Sequence, residues 1–105
     1  MIPKPGHPVR GSRTGRPIMA LLDLLGRRWT LRILWELRLG PLTFAELQER
    51  CDAMSPSVLN QRLAELRETR IAAHERGGYR LTAEGKSLLA ALAPLDAWAK
   101  RWSRP

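Results

Sequence analysis

The sequence has few of the residues that build catalytic or metal centres. Its 105 residues include one cysteine and two histidines, and these three lie far apart in the chain. An internal disulfide is therefore excluded, and a Cys- or His-based metal site is not expected. No nucleophile paired with a general base and no phosphate-binding loop is recognisable. The sequence thus predicts a protein that is not an enzyme and has no cofactor or metal.

Long apolar runs are also lacking. No stretch approaches the roughly 18 apolar residues of a membrane span, and the N-terminal segment has no apolar signal region. Together with the scarcity of cysteine, this predicts a soluble cytoplasmic protein with no membrane partner. The length is that of one domain with a modest core, which oligomerisation would help to stabilise.

Acidic residues are absent from the two ends of the chain, whereas the middle holds nearly as many acidic as basic residues. The formal net charge is +8, from 18 basic and 10 acidic residues. Residues 1–17 and 98–105 hold seven of the basic residues and none of the acids, so residues 18–97 hold 11 basic and 10 acidic residues. A basic balance suits a polyanionic partner, nucleic acid before an anionic membrane. Because the middle is nearly neutral, the pattern of residues must identify the partner.

The chain divides into an arm and a domain. Residues 1–16 mix Pro, Gly, Ser and Arg without periodicity, which predicts a disordered basic arm. From Pro17 onward the apolar residues recur at helical spacing, so residues 17–105 are predicted to form one domain.

Two apolar helices begin the domain. The first covers residues 18–25 and the second residues 30–39, and each ends at a glycine. The second helix should lie near the middle of the core, because only its charged residues are left for solvent. Those residues are Arg32, Glu36 and Arg38.

A short helix, a tight turn and a longer helix follow. Thr43 and Glu46 have the spacing of a capping box, which begins a helix over residues 44–51. Ser55 is predicted to be the N-cap of the next helix, which has proline in its first turn and extends to about Arg70. This arrangement predicts a helix-turn-helix.

After Arg70 the hydrophobic period changes to two. Gly77-Gly78 suits the tight turn of a β-hairpin, which needs positive φ. Thr82 then caps a last helix, which Pro94 should kink or interrupt. The predicted fold is mainly α with a small β-hairpin, in the order α-α-α-α-β-β-α, which is the winged helix-turn-helix plan.

One face of the longer helix is suited to reading DNA. At about 100° per residue, Ser57, Asn60 and Gln61 lie nearly opposite the leucines. The second helix of a helix-turn-helix places its N-terminal turns in the major groove, where side chains must hydrogen-bond base edges without repelling phosphate. No acid precedes Glu65 in this helix. A merely solvated polar face is the alternative explanation of the same residues.

Basic and hydroxyl side chains around this face complete the predicted DNA site. Arg62, nearer the buried edge of the helix, is expected to hold a phosphate. The hairpin adds Arg76 and Arg80, whose presence favours DNA binding over a merely solvated face. Thr43, at the start of the preceding helix, is also a DNA-contact candidate.

The last helix is unusually apolar. Leucines and tryptophans recur along it at helical spacing, namely Leu88, Leu92, Leu95, Trp98 and Trp102. They could all belong to an intramolecular core, but one helix this apolar near a chain end is hard to cover within 105 residues. We therefore expect part of it to form a homodimer interface. Cys51 aligns with Phe44 and Leu47, which favours a buried small hydrophobe over a reactive thiol.

Several segments together resemble the bacterial HxlR-type (MarR-like) winged-helix regulators, over roughly residues 17–98. They are GRRWT followed by ILWEL, then SPSVLNQRL, YRLTAEGKSL and LAPLDAW. The resemblance implies DNA contact by Ser55, Ser57, Asn60, Gln61 and Arg62. It also implies a homodimer built from the first and last helices, with Ile18, Leu21 and Leu22 in the interface. Such a dimer would bind double-stranded DNA at a palindromic operator, as repressor or activator, with a small-molecule effector of unknown identity.

The sequence departs from this family's pattern at Arg16-Pro17, where relatives often have a Cys-Pro pair whose thiol can sense electrophiles. Its hairpin, ERGGYR, is also shorter than the usual wing. The predicted function is sequence-specific DNA binding by a homodimeric regulator. The alternative is a winged-helix protein-interaction module without specific DNA binding, which the short hairpin and the near-neutral middle favour.

Overall fold

A computed structural model describes residues 3–6 and 15–105. The predicted basic arm of residues 1–16 lies mostly outside this part of the chain. The described helices are α1 (Pro17–Leu25), α2 (Thr30–Glu36), α3 (Phe44–Arg50), α4 (Pro56–Glu68), α5 (Ala83–Leu92) and α6 (Pro94–Trp102). Strands β1 (Leu42–Thr43), β2 (Ala72–Glu75) and β3 (Gly78–Leu81) form an antiparallel sheet in the order β1-β3-β2. The predicted winged helix-turn-helix fold is confirmed.

The core lies where α2, α3 and α4 meet the sheet. Leu59, Leu63 and Leu66 recur at helical spacing on the inner face of α4, and all three are buried. They pack in one cluster with apolar residues of the other elements, among them Ile33 and Leu47. Burying one such side chain contributes roughly 1.5–3 kcal/mol, so this face holds α4 against the core.

Side-chain caps set where the two helices of the helix-turn-helix begin. The Thr43 hydroxyl accepts a hydrogen bond from the backbone N–H of Glu46 at 3.1 Å, and the Glu46 carboxylate accepts one from the N–H of Thr43 at 2.9 Å. The predicted capping box is therefore present. Ser55 caps α4 by accepting from the N–H of Val58 at 3.5 Å. Helix α4 ends at Glu68, two residues before the predicted end.

The second predicted helix differs from the expectation. Its α-helical part ends at Glu36, and a 3-10 turn continues over Leu37–Leu39. Leu31, Trp35 and Leu39 are exposed. The prediction that only charged residues of this helix face solvent is therefore wrong. Apolar side chains surround the helix, and the domain covers only one of its sides.

The sheet contains one strand that the sequence did not predict, and its turn is shifted by one residue. Strand β1 is too short to show a period, and it pairs with the edge of β3 opposite to β2. The hairpin turn is Arg76-Gly77, with φ of 51° and 78°, whereas Gly78 lies in β3. Two positive φ values match the right-handed twist of the flanking strands.

The start of α5 is joined closely to the end of α4. The Thr82 hydroxyl donates to the carbonyl oxygen of Arg70 at 2.6 Å and accepts from the N–H of Gly85 at 3.1 Å. A Cβ on Gly85 would lie 2.1 Å from the carbonyl oxygen of Ile71, so only glycine fits. Further along, the helix ends at Leu92 and α6 begins at Pro94, which confirms the predicted interruption.

Candidate nucleic-acid interface

The outer face of α4 is polar and exposed. Ser57, Asn60 and Gln61 all lie on the solvent side of the helix, opposite its buried leucines. The first turn of α4 holds no acid, and Glu65, the first acid along the helix, points inward and is buried. The helix dipole adds partial positive charge at the same end. This face can therefore approach a polyanion and hydrogen-bond base edges.

Two serines mark the N-terminal end of this face. The Ser55 and Ser57 hydroxyl oxygens lie 3.0 Å apart, and both residues are exposed. Ser55 is occupied as the helix cap, but Ser57 retains hydrogen-bonding capacity toward solvent. Both predicted candidates thus lie beside Asn60 and Gln61 on one surface.

The Arg62 side chain bonds to other residues of its own chain, whereas the sequence predicted that it would hold a phosphate. Its Nε donates to the carbonyl oxygen of Arg28 at 2.8 Å, and its guanidinium pairs with Glu65 at 3.2 Å. Only 16% of the side chain is exposed. Phosphate contact by Arg62 stays a prediction, but this geometry does not favour it, because the guanidinium is held within the chain.

The wing presents its two arginines unequally. Arg76 lies exposed in the hairpin turn. Arg80 instead bonds to Glu75 across the hairpin at 2.5 Å. The Arg80 guanidinium lowers the pKa of the Glu75 carboxyl, and the carboxylate raises the pKa of Arg80. Since this pair neutralises part of the wing, Arg76 is the better placed of the two for a phosphate contact.

The sheet brings Thr43 beside the wing, although the two are far apart in sequence. Thr43 pairs with Gly78 in the register of β1 and β3. A shallow groove of about 360 Å³ lies between this strand and the hairpin, and it is lined by Thr43, Glu46, Arg76 and Arg80 among others. The Thr43 hydroxyl accepts the cap hydrogen bond of α3, and the residue is also exposed to solvent beside this groove.

The residues predicted for the dimer interface divide into two groups. Ile18, Leu22, Leu95, Trp98 and Trp102 are exposed, with Trp98 52% and Trp102 74% accessible. The two indole rings stack with centroids 5.6 Å apart. Leu21 and Leu92 are half-buried. Leu88 is also half-buried and packs against the core of its own chain, and its place in the interface stays a prediction.

Two further apolar side chains belong with this exposed group. Leu31 and Trp35 of α2 line a groove of about 500 Å³ together with Leu92 and Leu95. The Arg38 guanidinium lies 3.9 Å from the centre of the Trp35 ring at the same groove. The sequence analysis missed both residues because it assigned every apolar residue of this helix to the core. A helix that is apolar on all sides is the signal that could have revealed them.

The described residues hold neither a candidate metal site nor a helix that could span a membrane. Residues 3–6 and 15–105 contain no cluster of His, Cys, Asp and Glu that could hold a metal ion. No helix of this part of the chain is long and apolar enough to cross a membrane. Cys51 is buried as predicted, and its burial raises the pKa of the thiol.

A helix-turn-helix followed by an antiparallel wing, with a polar face on its second helix that exposes no acid before Glu68, defines the chain as a winged helix-turn-helix DNA-binding protein. The sequence model of the HxlR-like helix-turn-helix family matches residues 24–105. The chain belongs to this family, and similar proteins are named as HTH-type transcriptional regulators.

Two similar proteins come from Bacillus subtilis strain 168. The uncharacterized HTH-type transcriptional regulator YvaP is 31% identical over 91 residues, which cover 80% of this chain and 84% of YvaP. The HTH-type transcriptional regulator YodB is 33% identical over 90 residues, which cover 79% of this chain and 80% of YodB. The crystal structure of quinone-bound YodB superposes with a TM-score of 0.74, covering 80% of this chain and 96% of that one.

Proposed function

We propose that the protein is a sequence-specific transcriptional regulator that binds a palindromic DNA operator as a homodimer in the cytoplasm. The observation that carries this proposal is the outer face of α4, where Ser57, Asn60 and Gln61 are exposed and no acid is exposed before Glu68. A polar face of this kind on the second helix of a winged helix-turn-helix is complementary to the major groove.

The proposed contacts divide into those that read bases and those that hold phosphate. Asn60 and Gln61 have amide groups that pair bidentately with adenine, and Ser57 adds a hydroxyl that can bond to any base. Ser55 at the start of α4, and Thr43 and Arg76 at the groove between β1 and the hairpin, are the proposed contacts to the phosphate backbone. Phosphate contacts orient the protein, and the amides select the sequence.

The proposed homodimer is supported by the exposed apolar residues of α1, α2 and α6. A soluble monomer rarely exposes so many large apolar side chains, and the groove between α2 and α5–α6 is mostly apolar. A two-fold mate would cover this surface and place two α4 helices on one duplex. A two-fold protein reads two half-sites about one helical turn apart, which is why a palindrome is expected.

Selection of bound duplexes from a random DNA pool tests the proposal. An enriched palindrome with half-sites spaced by roughly 10 base pairs is the expected result. Failure to enrich any sequence would contradict it and would favour the protein-interaction module instead. That alternative finds some support in the Arg80–Glu75 pair, which neutralises part of the wing. Heparin retention that depends only on the basic chain ends would agree with the alternative.

A further inference from the structure

A network of charged side chains joins the inner side of α4 to the connection between α1 and α2. Arg27 donates to one carboxylate oxygen of Glu65 at 2.6 Å, and Arg62 donates to the other at 3.2 Å. Arg27 also lies 3.8 Å from Asp23 of α1, and Arg62 reaches the carbonyl oxygen of Arg28 at 2.8 Å. The Arg62–Glu65 pair lies within α4. The Arg27–Glu65 bond and the bond from Arg62 to the Arg28 carbonyl oxygen join α4 to the α1–α2 connection, and the Arg27–Asp23 pair joins that connection to α1.

The network is buried to an extent that is uncommon for charged residues. The exposed fractions of the side chains are 13% for Arg27, 10% for Asp23, 7% for Glu65 and 16% for Arg62. Desolvating such groups costs free energy, and a well-packed apolar substitute is often at least as stabilising. Stability alone therefore does not explain a buried ionic group. Its directional bonds do distinguish one orientation of the helix from others, whereas leucine contacts are tolerant of small rotations.

The network lies next to the two amide residues of α4 that are proposed to read bases. Arg62 directly follows Asn60 and Gln61, and Glu65 lies one helical turn after Gln61. A small rotation or shift of α4 would therefore move both amides relative to the bases. Bidentate hydrogen bonds to a base edge depend steeply on such geometry.

We propose that Arg27, Glu65 and Arg62 are positioning residues that hold α4 in the orientation required for base reading, with α1 as their anchor through Asp23. The inference rests on the proposed function, because it concerns how well the DNA-reading face is oriented. It predicts that breaking the network reduces discrimination between operator and random DNA, even though no exposed residue of α4 changes.

A matched pair of substitutions on α4 tests this. Glu65→Gln removes the buried charge, and Glu68→Gln makes the same change of net charge at an exposed position of the same helix. Both remove one negative charge, so neither should weaken binding to random duplex. Only Glu65→Gln should reduce the ratio of operator to random-duplex affinity, by a factor of about ten, which is the scale of one base contact.

A second pair keeps the charge constant and guards against loss of folding. Arg27→Lys retains a cation but loses the guanidinium fork that reaches Glu65 and Asp23. Arg28→Lys makes the same change at the adjacent exposed residue, whose carbonyl is unaffected. Circular dichroism first establishes that each variant is folded at the assay temperature. Should Glu65→Gln fail to fold, the Arg27→Lys comparison decides.

The outcomes separate this inference from the proposed function. A ratio that falls in Glu65→Gln and Arg27→Lys but not in their controls supports the positioning role. Folded Arg27→Lys with the wild-type ratio overturns it. A wild-type protein that prefers no DNA sequence would instead overturn the proposed function.

Discussion

Replacing Trp98 by alanine should dissociate the proposed homodimer without unfolding its subunits. A tryptophan side chain offers roughly 200 Å² to solvent, and 52% of Trp98 is exposed in the single chain. About 100 Å² is therefore available for burial, which at about 25 cal/mol/Å² corresponds to about 2.5 kcal/mol. A two-fold dimer contains two copies, so the loss is about 5 kcal/mol, or more than a thousandfold in the dissociation constant.

Sedimentation equilibrium at micromolar concentration measures this loss directly. Lys100→Ala is the matched control on the same helix, because its exposed pair with Asp96 at 3.3 Å contributes at most about 1 kcal/mol. Operator affinity should fall together with dimerisation, since each subunit of the proposed dimer would hold only one half-site. A Trp98→Ala variant that remained dimeric and bound its operator normally would refute the reasoning. The interface would then have to lie on α1, around Ile18 and Leu22.

Three other predictions concern the DNA-reading face, the capping box and the buried thiol. Asn60→Ala and Gln61→Ala should each weaken operator binding by about 1–3 kcal/mol and leave binding to random duplex almost unchanged, as competition assays can measure. Equal losses on both kinds of DNA would show that these amides do not read bases. Glu46→Gln should reduce stability in thermal unfolding above pH 4.5 and have no effect in strong acid. The hydrogen bonds from Thr43 hold the folded pKa of Glu46 below its ordinary value of 4.5, so the contribution is lost as the pH falls through the folded pKa. Diamide or quinone should leave operator affinity unchanged, because Cys51 is buried and its pKa is raised. Loss of binding that Cys51→Ala prevents would show that the thiol is accessible.

Much of the fold could be predicted because local signals agree with the tertiary structure. The capping box at Thr43, the serine cap at Ser55 and the break at Pro94 all lie where the sequence placed them. Each depends on one or two side chains bonding to nearby backbone, so its signal is local. The leucine spacing of α4 likewise identified both its buried side and its exposed polar face.

The remaining differences come from contacts between distant segments. Strand β1 exists only because β3 lies beside it, and two residues are too few to show a period. The exposure of Leu31 and Trp35 depends on which side of α2 the rest of the domain covers. Pairing of Arg62 with Glu65 and Arg28 depends on how α4 packs on the α1–α2 connection. A pattern within one helix could not have revealed these partners.

The close approach of Gly85 to the carbonyl oxygen of Ile71 restricts which residue can occupy this position. Any larger residue at this position would push α5 away from the end of α4, and the α5–α6 segment would move with it. The hairpin turn at Arg76-Gly77 lies in the chain between Ile71 and Gly85, and a Cβ on Gly77 would meet no atom within 4 Å, although both turn residues keep a positive φ. The hairpin can therefore vary in length between related or engineered chains, whereas a substitution at Gly85 would shift α5 and α6 relative to α4.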